Sequence, residues 1–127
     1  MNAGTLLLRH AHPNFMTGSE ITSQVFMPFP KDRNRLSVYN GDLIGAADAF
    51  SHFTQTLGYA SHSVWAVSKE EADENEVPPL PDPLPDFQSH TVLQFDKHPD
   101  TQLRKIAKKL KIHAQKRGVI FTLEHTA

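Results

Sequence analysis

The sequence predicts an α+β fold, with a single mixed or largely antiparallel sheet of about five or six strands and two main helices. Three observations support this class. Short β-branched and aromatic runs are grouped before the first amphipathic stretch, whereas a doubly wound fold would alternate strands and helices. Two stretches carry an apolar stripe at helical spacing. The length of 127 residues suits one domain, so we predict a single domain over 1–127.

The amino-terminal part of the chain contains three predicted strands. The first is Thr5–Arg9 (TLLLR), an apolar run that ends before Pro13. The second is Ile21–Met27 (ITSQVFM), in which alternate residues would share one face. The third is Leu36–Tyr39 (LSVY), which ends at the turn dipeptide Asn40-Gly41.

The middle of the chain carries the first main helix. It is predicted over Leu43–Leu57, with Asp42 as its N-cap and Gly58 after its last turn. A strand over Ser63–Val67 follows. Ser68 and Glu71 have the spacing of a capping box, which predicts a short acidic helix from residue 68.

The carboxy-terminal part begins with a proline-rich connection over 77–86, where five of ten residues are proline, a composition that excludes a helix or a central strand. A strand over Thr91–Phe95 leads into the second main helix, Gln102–Arg117, which Asp100 or Thr101 caps. Val119–Leu123 is the closing strand. The two main helices can both cover one face of the sheet.

Composition narrows the range of functions. The chain has no cysteine, which excludes disulfides, thiolate metal sites and cysteine nucleophiles. No apolar run is long enough for a membrane span and no signal-peptide pattern is present, so we predict a cytoplasmic protein without membrane contact. The phosphate-binding and dinucleotide-binding glycine motifs are absent, and no cofactor is predicted.

Charge is balanced overall but unevenly distributed. The formal net charge is −1, which makes nucleic acid a less favoured partner than an anionic small molecule or a protein. Residues 68–100 carry nine acidic side chains and residues 101–127 carry seven basic ones. This layout can steer a charged partner. The alternative is that each block is the solvated face of its own segment.

The densest polar cluster is Arg9-His10-Ala11-His12, in a chain with eight histidines. If the first strand extends to His12, then His10 and His12 share one face, as in a zinc site or a phosphate site. No sequence spacing fixes the remaining ligands of a metal, so we predict none. We predict instead a metal-free site in which histidine and arginine bind an anion. The alternative is that these histidines are solvated or bonded only to stabilise the fold.

Other polar residues lie where they can join this cluster. His52 falls at the border between the apolar and polar faces of the first main helix, and His90 stands at the entrance to a strand. Asp32 and Tyr39 lie beside turns. We predict catalytic roles for Arg9, His12 and His52 and ligand-binding roles for His10, Asp32, Tyr39 and His90. We also predict that five of these residues converge on one concave site, namely Arg9, His12, Asp32, His52 and His90.

The strings LLRHAHPNF, ITSQVF and LSVYNGD resemble a group of small uncharacterised bacterial proteins with an R-x-x-H-P, T-S-Q-x-F and L-S-V-Y-x-G-D pattern. The resemblance covers about residues 5–95 and implies no particular activity. A more distant likeness is to ADP-ribosyltransferase-like folds, in which Arg9, His10 and Tyr39 would hold a nicotinamide dinucleotide. The chain departs from that pattern because its only late glutamate, Glu124, lies close to the end.

Two functional hypotheses follow. The first is a small bacterial protein whose His/Arg site takes a phosphate-like or nucleotide-like ligand, as an effector or accessory factor in stress, defence or toxin–antitoxin systems. The second is a non-catalytic binding, immunity or adaptor protein that acts through its charged surfaces. The sequence leaves the choice between enzyme and binding protein open, and it leaves the oligomeric state open as well.

Overall fold

The computed structural model describes residues 1–123, and its centre is a six-stranded sheet. Across the sheet the order is β6-β7-β4-β1-β5-β8, and each neighbouring pair is antiparallel. Strands β2 and β3 form a separate hairpin. The predicted α+β class with a largely antiparallel sheet is confirmed. The strands are β1 (Leu6–Ala11), β2 (Met16–Thr17), β3 (Glu20–Ile21), β4 (Arg35–Asn40), β5 (Ser63–Ser68), β6 (Pro79–Pro81), β7 (His90–Gln94) and β8 (Phe121–Thr122).

Three α-helices connect these strands: α1 (Ala46–Ser51), α2 (Lys69–Glu74) and α3 (Asp100–Arg117). Helix α1 continues as a π-helical turn over His52–Thr56. Helix α2 starts with the predicted capping box, in which the Ser68 hydroxyl accepts from the N–H of Glu71 and the Glu71 carboxylate accepts from the N–H of Ser68. Short 3₁₀ helices lie at Pro13–Phe15, Ser23–Phe26, Pro30–Asp32 and Phe95–Lys97.

The two main helices lie on opposite faces of the sheet, and the expectation that both cover one face is wrong. Helix α3 packs on the face that carries Leu7 and Trp65. Helix α1 packs on the other face, against Leu8, Tyr39 and Val64. The physical reason is that apolar strand residues point to both faces of the sheet, so each face must be packed against a helix.

The region predicted as a strand over Ile21–Met27 folds differently. Only Glu20–Ile21 pairs as a strand, and Ser23–Phe26 is a 3₁₀ helix. Val25 and Phe26 are both fully buried in the cluster that includes α3. Two adjacent residues that point into one core do not fit the alternation of a strand, and a tight helical turn satisfies both.

The predicted N-cap of the first main helix is also wrong. The helix begins at Ala46, with Gly45 in the N-cap position. Asp42 has other partners, because its N–H donates to the Asn40 side chain and its carboxylate accepts from the Thr5 hydroxyl at 2.6 Å. These bonds hold residues 42–45 in a turn and delay the start of the helix.

The proline-rich connection pairs with the sheet at its edge. Pro79–Pro81 forms β6, which among residues 1–123 pairs with β7 alone. An edge position tolerates proline because the missing N–H faces outward. The closing strand is shorter than predicted, since only Phe121–Thr122 pairs with β5. Within residues 1–123, no helix combines the length and the apolar character needed to cross a bilayer.

Candidate functional site

A cleft opens where β1 and β4 part. Pairing between these strands ends at Leu8 and Tyr39, whereas β1 stays paired with β5 as far as Ala11. Beyond Leu8, backbone hydrogen bonds between β1 and β4 are replaced by a side-chain bond, in which Arg9 Nη1 donates to the carbonyl of Ser37 on β4 at 2.9 Å. The gap between the two strands is therefore lined by a positively charged side chain.

Arg9 is held rigidly and keeps its charge. Its Nε donates to the carbonyl of Val25 at 2.8 Å, so two of its nitrogens are fixed by backbone. Burial lowers the pKa of Arg9 to about 10, and the charge of Asp32 opposes this shift. The guanidinium is thus positive at neutral pH. Its Nη2 donates to no acceptor in the described part of the chain, which leaves that edge available to a ligand.

The cleft consists of two adjoining cavities, an outer one of about 470 Å³ and an inner one of about 260 Å³. Arg9, His10, Phe53 and Tyr59 line both. Together the cavities have the size of a small-molecule site. Large apolar side chains that are exposed to solvent stand around the rim, namely Phe29, Leu57, Tyr59 and Leu84.

His10 is a buried, neutral imidazole in the wall of the cleft. Its ring stacks on Phe53 with centroids 3.9 Å apart. Burial, together with the charges of Arg9 and His52, lowers the pKa of His10 to about 3. The Ser61 hydroxyl lies 3.0 Å from Nδ1 and donates to the carbonyl of Ser63, which assigns the ring proton to Nδ1. Nε2 is then an acceptor without a partner in residues 1–123.

Tyr39 and His52 form a second polar pair beside His10. The Tyr39 hydroxyl lies 2.8 Å from His52 Nδ1. Burial raises the pKa of Tyr39, so the phenol stays protonated, and its hydroxyl can donate to a neutral His52 or accept from a protonated one. The helix widens at this point, since the N–H of Leu57 bonds to the carbonyl of His52 five residues earlier. Such π-turns are frequent at functional sites.

His90 is the third histidine of this face and is bonded through both ring nitrogens. Nε2 lies 3.1 Å from the Ser37 hydroxyl on the neighbouring strand. Nδ1 lies 2.9 Å from the carbonyl of Asp82 and 3.2 Å from its carboxylate. Ser37 and His90 line the inner cavity and also a separate cationic depression, which contains Lys31, Arg33 and Arg35.

The structure brings most of the predicted site residues to this region, although not to a single point. Arg9, His10, Tyr39 and His90 line the cleft. His12 also lines the cleft, in its outer cavity, where its Nδ1 accepts from the N–H of Asn14. Asp32 lines the cationic depression instead, and His52 contacts Tyr39 and Phe87 of the cleft wall without lining either cavity.

Comparison of the chain with protein-family models, curated proteins and solved structures finds no match. The function must therefore be argued from the geometry of the site. Within residues 1–123 no group of three or more histidine or acidic side chains is placed to hold a metal ion. The likeness to ADP-ribosyltransferase-like folds was doubtful because the only late glutamate, Glu124, lies close to the end of the sequence. Glu124 lies outside the described residues.

Several residues of the site were not singled out from the sequence. Ser37 carried a signal, because it lies two positions before Tyr39 in an apolar strand and so shares its face. Phe53 was assigned to the apolar stripe of the helix, and its stacking on His10 depends on where that helix docks. Asp82 gave no signal, since its contact with His90 arises from the pairing of β6 with β7.

Proposed function

We propose that the cleft binds an anionic small molecule that carries a planar group, of which a nucleotide is the simplest example. The observation that carries this proposal is the Arg9 guanidinium, which is fixed by two backbone carbonyls and still has Nη2 without an acceptor. A phosphate or carboxylate oxygen is the natural partner for such a group. Because the guanidinium is already ordered, a ligand gains the charge-assisted bond at little entropic cost.

The walls of the cleft suit the planar part of the ligand. Phe29, Phe53 and Tyr59 line it, and Phe29 and Tyr59 are largely exposed. Aromatic side chains of this kind stack on bases, with about 1–3 kcal/mol per stacked base. The Nε2 atom of His10 is buried without a partner among residues 1–123, so no ligand contact is assigned to it. We keep the proposed roles of His12 and His52 in catalysis as predictions.

The test uses inorganic phosphate, AMP and adenosine as probes, with isothermal titration calorimetry as the readout. AMP is expected to bind at least 10-fold more tightly than either fragment, because only AMP has both the anion and the base. Arg9→Gln should weaken AMP binding by about 10- to 100-fold, since a hydrogen bond to a charged group is worth about 1.5–3 kcal/mol.

Controls separate binding from folding. Arg9→Gln also removes bonds to Val25 and Ser37, so Tyr59→Ala provides a second variant, at a side chain that is 60% exposed. It should weaken AMP binding and leave thermal stability unchanged. Arg104→Gln, on the exposed face of α3, is the matched charge control. Equal affinity for AMP and adenosine, or AMP binding unchanged by both cleft variants, overturns the proposal.

The second candidate function is a binding or adaptor role through the charged surface of α3. Lys105, Lys108 and Lys109 are exposed and make no ion pair with any of residues 1–123. Unpaired cations of this kind are available to an acidic partner.

A further inference from the structure

Ser37, His90 and Asp82 are aligned on neighbouring elements at one edge of the cleft. The Ser37 Oγ is 3.1 Å from His90 Nε2, and His90 Nδ1 is 3.2 Å from an Asp82 carboxylate oxygen and 2.9 Å from the Asp82 carbonyl. Three strands supply them: β4 carries Ser37, β7 carries His90, and Asp82 follows directly after β6. The antiparallel pairing of these strands fixes the spacing.

The direction of each hydrogen bond follows from the partners. The hydrogen bond of His90 Nδ1 goes to the Asp82 carbonyl, which can only accept, so the ring proton is on Nδ1, and the Asp82 carboxylate lies beside it at ion-pair distance. Nε2 then carries a lone pair, and the Ser37 hydroxyl donates to it. The ring is held by burial and by the edge-on contact with Phe87, whose centroid is 4.9 Å away. This is the arrangement that activates a serine nucleophile.

A purely structural role for Ser37 and His90 explains their hydrogen bond less well than a catalytic role does. Ser37 is exposed to solvent, so its hydroxyl needs no protein partner to remain hydrogen-bonded. His90, by contrast, is buried and receives its tautomer from Asp82. The result is a buried base that presents its lone pair to an accessible hydroxyl. A base in that position can take the serine proton during a reaction.

The surroundings of Ser37 indicate the class of substrate. On one side it lines the inner cavity with the apolar side chains Phe53 and Phe87. On the other side it lines the cationic depression of about 320 Å³, where the three cations Lys31, Arg33 and Arg35 outnumber the two acids Asp32 and Asp82. Arg35 lies two residues before Ser37 on the same face of β4. A molecule that spans Ser37 therefore meets an apolar wall and a cationic one.

We propose that Ser37 is the nucleophile of an acyl-transfer site, with His90 as its general base and Asp82 as the group that positions His90. The substrate class is a carboxylic ester that joins an apolar part to an anionic part. Arg35 lines the same depression as Ser37 and pairs with Asp96 at 3.8 Å, so we assign it to binding of the anionic part and not to the reacting carbonyl. This proposal does not depend on the binding of AMP by Arg9.

The reaction runs in two balanced stages. Ser37 Oγ attacks the ester carbonyl carbon and its proton passes to His90 Nε2. The bond from that carbon to the alcohol oxygen then breaks, and His90 returns the proton to the departing alcohol, which leaves an acyl group on Ser37. Water next attacks this acyl group and gives one proton to His90. The carboxylic acid is released as Ser37 Oγ takes the proton back.

The test is covalent labelling by a tagged fluorophosphonate, in which the serine oxygen bonds to phosphorus, fluoride leaves and His90 takes the proton. Intact mass should show a single adduct per chain, and peptide mapping should place it on Ser37. Ser37→Ala should abolish the adduct. Ser51→Ala, at an exposed serine of α1, is the matched control and should label like the parent.

Two variants test whether His90 and Asp82 activate Ser37. His90→Gln should lower the labelling rate by about 100-fold or more, and Asp82→Asn by roughly 10-fold or more. Because His90 is buried, its variant is checked by thermal melting. Asp82→Asn changes a side chain that is half exposed and keeps the carbonyl bond to His90. Hydrolysis of 4-nitrophenyl butyrate should follow the same order among the variants.

The outcomes are distinct. Labelling of Ser37 that depends on His90 and Asp82 supports the proposal. Absence of an adduct, an adduct on another residue, or labelling of Ser37 at the parent rate in both the His90→Gln and Asp82→Asn variants overturns it. AMP binding measured on Ser37→Ala separates the two sites. Retained AMP binding without any labelling of the parent removes the acyl-transfer proposal alone, and labelling without AMP binding removes the anion proposal alone.

Discussion

At the scale of the single residue, His10 couples the cleft to pH. Its pKa is about 3 in the folded protein because the ring is buried and faces the charges of Arg9 and His52. In the unfolded chain an imidazole titrates near 6.5. Between these two values the unfolded state binds a proton that the folded state does not. The free energy of unfolding therefore decreases as the pH falls from about 6.5 to about 3.

This difference predicts the behaviour of His10→Phe. The new ring can keep the stacking on Phe53, and Ser61 keeps the carbonyl of Ser63 as its acceptor. The variant should gain stability relative to the parent as the pH falls below 6.5, by at most about 1.4 kcal/mol per pH unit. Urea unfolding from neutral pH to pH 4 measures this. A difference between the two proteins that is constant over that range contradicts the assignment.

At the scale of the element, Glu71 links α2, α3 and β5. Its carboxylate accepts a two-pronged contact from Arg117 at 2.8 and 3.1 Å, and Arg117 also donates to the carbonyl of Ala66. His113 of α3 lies 3.3 Å from the same carboxylate. Glu71 thus serves both in the capping box of α2 and as the partner of cations in the last turn of α3, where the helix dipole favours positive charge.

A double-mutant cycle with Glu71→Gln and Arg117→Gln should therefore measure a coupling of about 1 kcal/mol or more, since the pair is bidentate and largely shielded from solvent. The matched control is the exposed pair Lys69–Asp73 on the same helix, at 2.6 Å. Its coupling should be only about 0.3–0.5 kcal/mol. Equal coupling in the two pairs contradicts a special role for Glu71.

The same carboxylate should contribute to stability against acid. Burial opposes its ionisation, but hydrogen bonds from Arg117 and from the N–H of Ser68, with the charges of Arg117 and His113, hold the pKa of Glu71 below its ordinary value of 4.5. Its contribution is present above that ordinary value and is lost as the pH falls through the folded pKa. Glu71→Gln should therefore destabilise the protein near neutral pH and approach the parent in acid, as followed by thermal melting.

The elements also show what sequence reasoning can reach. The apolar stripe of α3 and the capping box of α2 were predictable because both are local signals. The predicted cap of α3 at Asp100 or Thr101 is wrong, since the helix begins at Asp100 with Pro99 in the N-cap position and no side-chain cap. The start of α1 was not, since Asp42 is engaged by Thr5, which is far away in sequence. The cleft could be predicted only in part for the same reason, because contacts between residues distant in sequence form it. Arg9 and His10 were visible as a cluster, but the line from Ser37 to Asp82 exists only after three strands pair.

At the scale of the whole molecule, the sheet separates the chemistry of the cleft from the charge of α3. No residue of α3 lines either cavity of the cleft. Leu103, Ile106 and Leu110 of α3 pack on the face of the sheet that carries Leu7, and the basic side chains project from the other side of the helix. The cleft and the basic surface can therefore be changed independently.

The last prediction follows from this separation. Joint replacement of Lys105, Lys108 and Lys109 by Gln should change the free energy of unfolding by no more than about 0.5 kcal/mol per site, because all three side chains are exposed. AMP binding and fluorophosphonate labelling should be unaltered. With a net charge of −1 and no aromatic residue in α3, neither parent nor variant should bind RNA or DNA at physiological salt. Binding that appears in a gel-shift titration of the parent and disappears in the triple variant would instead assign α3 to a nucleic-acid partner.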